Sequence, residues 1–241
     1  MIVNQIVRMI PTLKVNNRNL NESFYIETLG MNPLLEESAF LSLGDQSGIE
    51  KLVLEESPSM RSRKVKGVKK LARLIVKVEN PSEIEALLAR MEKLPQLYKG
   101  NKGYAFEVLS PEGDCVLVHA EDDIRDLEKV EKEVTFSKDE NMQYLTAFEI
   151  SVEVNLPEDT SSLLEKEEIE NRIAFREAQG GDLLVENNVT WDLSMLKFQV
   201  KELDLASLRQ RFEATGYFIP KSEKFFLTKE TNNVELWFEA V

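Results

Sequence analysis

The chain has 241 residues, of which 42% are hydrophobic and 30% charged; this is a folded, globular composition with room for one large domain or two of about 120 residues. A net charge of −13 repels phosphate backbones and anionic lipid, which argues against nucleic acid and membrane surfaces and for a basic or neutral partner. One cysteine, Cys115, and one histidine, His119, exclude an internal disulfide, a paired-thiolate zinc site and any mechanism needing two imidazoles.

The N-terminus lacks a basic region followed by a long apolar run, and no window approaches the roughly 18 apolar residues of a membrane span. A cytoplasmic location is expected, with the cell surface reached only by a non-standard export route. IVRMIPTLKV, in which Ile10, Thr12 and Lys14 alternate with Leu13 and Val15, predicts a strand. NNRNLNESFYIETLG predicts a helix of about three turns, with asparagines for N-caps and Leu20, Phe24 and Thr28 at four-residue spacing. Gly30 stands just past its end. NPLLEES, AFLSLGD and IEKLVLEES predict three strands, divided by Gly44-Asp45 and Gly48. The order βαβββ thus occupies a first module, about 5–57.

RSRKVKGVKK (61–70) carries six basic residues without interleaved aromatics, so it reads as a solvated linker rather than an anion-binding patch. Residues 71–120 repeat the first order. LARLIVKVE is a strand and PSEIEALLARMEKL a helix with Pro81 in its first turn. LYKG, KGYAFEVLSPEG and DCVLVHAE follow as strands. The two modules are expected to make one domain, 1–120. The stretch 121–134, with EDDIRDLEKVEKE, reads as a linker to a second domain, 135–241. There the final unit, about 195–241, restates the pattern through SMLKFQV, DLASLRQRFEATG, YFIP, KFFLTKE and VELWFEA. A degenerate third copy, about 144–190, is predicted from YLTAFEISVEV, a polar helix around SSLLEKEEIENRIAF, and GGDLLVEN. Repetition of this kind implies that each half-sheet buries its face only against a neighbour.

LKVNNRNLNESFYIETLGM, followed by LEESAFLSLGD and LVLEES, resembles the opening module of vicinal-oxygen-chelate proteins of the glyoxalase, bleomycin-resistance and dioxygenase type. The residues carrying the likeness are Leu13, Val15, Ser23, Phe24, Tyr25, Leu29 and Gly30, with Ser23 directly before Phe24 where the family spacing is longer. SPEGDCVLV resembles the family's end strand, with Ser110 in place of Asp. Within that superfamily the whole chain most resembles the streptococcal CppA family, whose members carry the name of a complement C3-degrading proteinase. The resemblance implies an α+β fold of tandem glyoxalase-like domains built from paired βαβββ modules. It also implies complement C3 as a substrate.

Enzymes of the superfamily hold a divalent metal with His or Glu on the first and last strands of paired modules, because that metal must polarise substrate oxygens or activate water. By resemblance those positions here are Ile10, Arg73, Val53 and Leu117. The four strands thus offer three aliphatics and a cation where ligands are required, so no metal and no cofactor is expected. The alternative content is an apolar cleft with Arg73, Tyr104 and His119 as candidate ligand-binding residues, taking a small anionic or apolar molecule. In the last module the corresponding positions are Met195 and Glu235. Glu235, joined by Glu149 or Glu186, leaves a metal-dependent enzyme in the C-terminal half as a further alternative.

The proteinase implication meets little support in the residues themselves. Cys115 and His119 lie four apart on one predicted strand, roughly 13 Å, too far for a thiol–imidazole dyad. No G-x-S-x-G elbow or H-E-x-x-H motif is present. Asp159-Thr160-Ser161, the nearest approach to an aspartic-protease loop, reads as the cap of the polar helix after it. Trp191, Trp237, Phe225 and Phe226 concentrate near the C-terminus, either as core or as the lining of a cleft or interface. A homodimer is a further expectation for a fold that extends sheets by pairing modules.

Overall fold

The computed structural model describes residues 5–132, 134–136, 142–164 and 169–241. In the first module, β1 (Ile6–Val15) leads through α1 (Arg18–Ser23) to β2 (Asn32–Glu37), β3 (Phe40–Gly44) and β4 (Glu50–Glu56). The second runs β6 (Leu71–Val78), α2 (Pro81–Leu88), β7 (Gln96–Lys99), β8 (Tyr104–Leu109) and β9 (Cys115–His119), after a short β5 (Arg63–Lys64). Then come β10 (Glu128–Lys129), β11 (Phe148–Pro157), β12 (Ile173–Ala178) and β13 (Thr190–Trp191). The last module holds β14 (Leu193–Val200), α3 (Leu205–Arg211), β15 (Phe225–Lys229) and β16 (Glu235–Ala240).

The strand order corrects the expectation that neighbouring modules share a sheet. One seven-stranded sheet runs β15-β16-β14-β1-β4-β3-β2 and the other β10-β7-β8-β9-β6-β11-β12. The first module therefore pairs with the last, through antiparallel β1 and β14, and the second with the third, through antiparallel β6 and β11. Each sheet is built from both halves of the chain. Its outer face packs on helices and loops, where Leu13, Val15, Phe198 and Phe238 on one sheet and Val76, Phe106, Val118 and Val152 on the other are almost fully buried.

The third module has shrunk. β12 pairs parallel with β11 directly, taking the place of a module's last strand, while GGDLLVEN lies in turns rather than a strand. The polar helix expected here falls partly on 165–168, outside the described residues, and its end, Ile173 onward, is β12. Of the expected strand YFIP, only a single bridge between Phe218 and Leu227 forms.

Local details depart from the predicted faces for identifiable reasons. Asn17 caps α1 by accepting from the Leu20 amide, and Leu20, predicted as a buried-face residue, is exposed. Asn21, Tyr25 and Leu29 are buried instead. The amide of Asn21 donates to the Asn17 carbonyl and, at 3.3 Å, to Glu112, so a polar anchor sets the helix rotation. A π turn over Phe24–Thr28 follows. Gly30 then takes φ +70, and a Cβ there would stand 2.9 Å from Leu87, so the chain reversal requires glycine.

The basic run is not a solvated linker. Arg63 donates to both oxygens of Asp182 at 2.6 and 2.5 Å, and the Lys66 amide also reaches Asp182. Lys70 is 1% exposed; its ammonium donates to the Val185 carbonyl and Asn187. Burial lowers its pKa to about 8. The strap is thus tied to 182–192 by specific acceptors. Part of 121–134 likewise joins the fold, as β10 beside β7.

Candidate functional site

Each sheet turns an inner face away from the apolar core. On the second sheet that face carries Arg73, Ile75 and Lys77 from β6, matched in register with Glu153, Ser151 and Glu149 of β11. On the other side of β6, Leu117 and His119 of β9 lie opposite Ile75 and Lys77. Alternation along a strand puts all of these on one side of the sheet.

Arg73 and His119 share this face but not one pocket. The Arg73 guanidinium lies 3.5 Å from Glu107 and 3.6 Å from Glu153, and Glu153, nearly buried, also takes Arg176 at 2.6 Å. Arg73 is therefore the internal cation of a carboxylate network, which corrects its assignment as a free receiver of a ligand's anion. Cys115 sits against the same network. Burial and the neighbouring Glu107 push its thiol up to about 11, which disfavours the nucleophilic thiolate.

His119 has a different environment. It is 3% exposed, and burial, with Lys77 nearby, lowers its pKa to about 4, a hydrogen bond with the Glu121 main chain pulling the other way. The ring is neutral at physiological pH, and its Nδ1 has no hydrogen-bond partner. It lines a cavity of about 790 Å³ whose wall also includes Lys77 and Ser151 from the same face, Arg8 from β1 and Arg172 from the loop before β12. The cavity thus draws on both sheets. Lys77 is balanced by Asp122 at 3.1 Å, Arg8 donates to Gln199 and Arg172 to the Ile6 carbonyl.

Tyr104 does not enter the cleft. With Phe106 and Val108 it occupies the opposite face of β8 and packs against the core, its ring edge-on to Phe136 and under the Lys99 ammonium. Of these residues, Lys77 was the one with a sequence signal, the alternation of β6. Arg8 and Arg172 had none, because they reach the cavity from distant segments.

The metal-ligand positions inferred by resemblance hold no ligand set. Ile10, Val53 and Leu117 are buried aliphatics and Arg73 is ion-paired. Thr12 faces Val53 across β4 and Met195 across β14, and Met195 faces Glu235. Glu149 lies in the other sheet from Glu235, and Glu186 pairs with Lys229 at 2.7 Å, so the three carboxylates considered together do not meet. Among the described residues no three His, Cys, Asp or Glu side chains converge to hold a metal ion. The donor set does not fit the divalent cation that the fold's enzymes employ.

The remaining candidates resolve simply. Asp159-Thr160-Ser161 forms a turn closed on the Pro157 carbonyl, and the helix it was expected to cap falls partly on 165–168, outside the described residues. Trp191 donates to the Ser57 carbonyl, and Phe226 is core. Phe225 and Trp237 stack at 3.7 Å on the inner face of the first sheet. No helix among the described residues is long and apolar enough to cross a membrane.

Two seven-stranded sheets, each assembled from a pair of modules, make this a protein of glyoxalase-like fold. Glyoxalase I from Zea mays, 8% identical, superposes with a TM-score of 0.54 over 97% of this chain and 92% of its own. A provisionally assigned dioxygenase from Bacillus subtilis subsp. subtilis str. 168, 12% identical, does so at 0.59 over 99% and 86%. At such identities the likeness is one of fold. Residues 8–130 match the family model CppA N-terminal and 145–238 the model CppA C-terminal. The chain belongs to the CppA family. The cppA protein of Streptococcus pneumoniae TIGR4 is 67% identical over 99% of this chain and 100% of its own, with a TM-score of 0.96. No curated protein matches.

Proposed function

We propose that this chain is a metal-independent binding protein that takes a small organic molecule into the cavity between its sheets, with His119 as the neutral acceptor. The observation that carries this reading is His119, 3% exposed on the wall of a cavity of about 790 Å³, whose buried Nδ1 has no hydrogen-bond partner among the described residues. A buried acceptor left unsatisfied costs about 1–3 kcal/mol, which a ligand N–H or O–H would recover. The cavity's five cations, Arg8, Lys51, Lys77, Arg125 and Arg172, share its wall with four carboxylates, Asp122, Asp123, Glu149 and Glu170, which favours a polar ligand of low charge over the anion first expected.

A proteolytic role against complement C3 finds no support in the reacting groups. The Cys115 thiol is held protonated beside Glu107, and the sole imidazole stands four residues along the same strand, facing the cavity.

The test is a ligand screen by protein-observed NMR on the full chain, followed through the His119 ring. A ligand is expected to shift the His119 resonances, and His119→Asn to weaken it by roughly tenfold, the value of one buried hydrogen bond. Ligands that bind while leaving the His119 ring unmoved would overturn the assignment.

A further inference from the structure

The first sheet offers a second, chemically different site on its inner face. Phe225 lies opposite Glu239, Leu227 opposite Trp237, and Lys229 opposite Glu235. Trp237 stacks on Phe225 with ring centroids 3.7 Å apart and planes 18° from parallel, so it leans toward the Glu239 end of β16. Glu235 stands two residues along β16 from Trp237, on the same face and on the side away from Glu239, opposite Met195 of β14.

The indole is held in that pose. Its Nε1–H donates to Glu239 at 2.9 Å, Glu239 accepts from Gln199 at 3.3 Å, and Gln199 accepts from Arg8 at 2.7 Å. Phe218 backs Phe225 at 6.0 Å. Cations of the described residues lie over Phe148, Tyr104 and Phe212, none over Trp237.

Glu235 is half-buried and makes no hydrogen bond or ion pair with any described residue. Its charged neighbours are matched with one another: Lys14 with Glu55 at 3.1 Å, Lys229 with Glu186 at 2.7 Å, and Lys197 with Glu50 at 2.8 Å. Glu235 is therefore a carboxylate with no direct ion pair on the face that carries Trp237, with Lys229 and Lys14 acting on it only from within their own pairs. Burial raises its pKa against the pull of Lys229 and Lys14.

We propose that Trp237 and Glu235 form a binding site for an organic ammonium cation. An anion would meet the Glu235 charge, and a neutral ligand would leave that charge unmatched. A divalent metal would find Met195 and an indole where further oxygen or nitrogen donors are needed. An ammonium group set between the carboxylate and the indole satisfies both, since the ring face attracts cations and its apolar surface takes the alkyl body. The net charge of −13 draws cations toward the protein. Neither Glu235 nor Trp237 lines the His119 cavity, although Arg8 on its wall reaches Glu239 through Gln199.

The test is calorimetric titration of the full chain with butylammonium chloride, with butanol and sodium butyrate as neutral and anionic counterparts. Nα-acetyl-lysine methylamide is a further arm, to separate a free amine from a polypeptide lysine. At least one of the two ammonium probes is expected to saturate, while butanol and butyrate do not. E235Q, isosteric at a partly exposed position, is expected to weaken binding by roughly tenfold or more, as is Trp237→Leu. His119→Asn is expected to leave it unchanged. Equal binding of butanol, failure of both ammonium probes, or full affinity in a folded E235Q protein would overturn the proposal.

Discussion

The two sheets start from one plan and have been refilled in opposite ways. In the first, modules one and four keep most of their strands, and the inner face is a set of lysine–glutamate pairs ending in an aromatic stack. In the second, the third module has been cut to β11 and β12, and the inner face holds a guanidinium between two carboxylates, then a neutral imidazole in a cavity. Between Glu107 and Glu153 the second sheet holds the side chain of Arg73, a permanent internal cation. The first sheet instead leaves Glu235 without one. The two inner faces thus meet charge in two ways: Arg73 is neutralised internally, and Glu235 has no direct ion pair.

The comparison depends first on the cross-pairing of modules. Because β1 needs β14 and β6 needs β11, residues 1–132 and 142–241 expressed apart are each expected to lack a cooperative unfolding transition and to regain it on mixing, as read by circular dichroism. Two separate transitions from two independently folded halves would break the pairing account. Next in size is Phe238→Ala, which empties a stack with Phe198 at 5.0 Å and is expected to cost about 3–5 kcal/mol in a urea unfolding curve.

Arg73→Ala acts on the second sheet. It leaves Glu107 and the nearly buried Glu153 with less counter-charge, for an expected loss of about 3 kcal/mol, while ligand binding at His119 persists because Arg73 is outside that cavity. Lost binding in a folded Arg73→Ala protein would join the two groups into one site. The smallest effect is the pH response of His119. Its folded pKa, about 4, lies below the unfolded value near 6.5, so the unfolded chain takes up the proton first. Stability contributed by the neutral ring is present above about 6.5 and is lost as pH falls toward 4. Asp192, raised to about 6 by burial, works in the opposite sense, since its native form holds a proton through much of that range. Wild type and His119→Asn share the Asp192 response, so the difference between their stabilities should fall by on the order of 2–3 kcal/mol on acidification from pH 6.5 to 4. A flat difference would place His119 in water.

Much of the architecture was legible because βαβββ order is a matter of local periodicity, and Val15, Gly30 and Cys115–His119 fall in the elements their patterns predict. Module pairing was not, because a ladder such as Thr12 opposite Met195 leaves no trace in either segment. Helix rotation was misread at Leu20, since the buried hydrogen bonds of Asn21 outweigh hydrophobic spacing. The site was half legible. His119 stood out by being single, and Glu235 by its register, but the pairing of Arg73 with Glu153 and the inward turn of Arg172 required the sheet to be assembled.

The central claim is the proposal that both inner faces bind through side chains alone, without a metal ion. It is tested most directly by equilibrium dialysis of the full chain against Mn²⁺, Ni²⁺ and Zn²⁺ at neutral pH, with bound metal counted per chain for the wild type and E235Q. The account predicts no stoichiometric uptake in either protein. One metal ion held per wild-type chain and released in E235Q would contradict it.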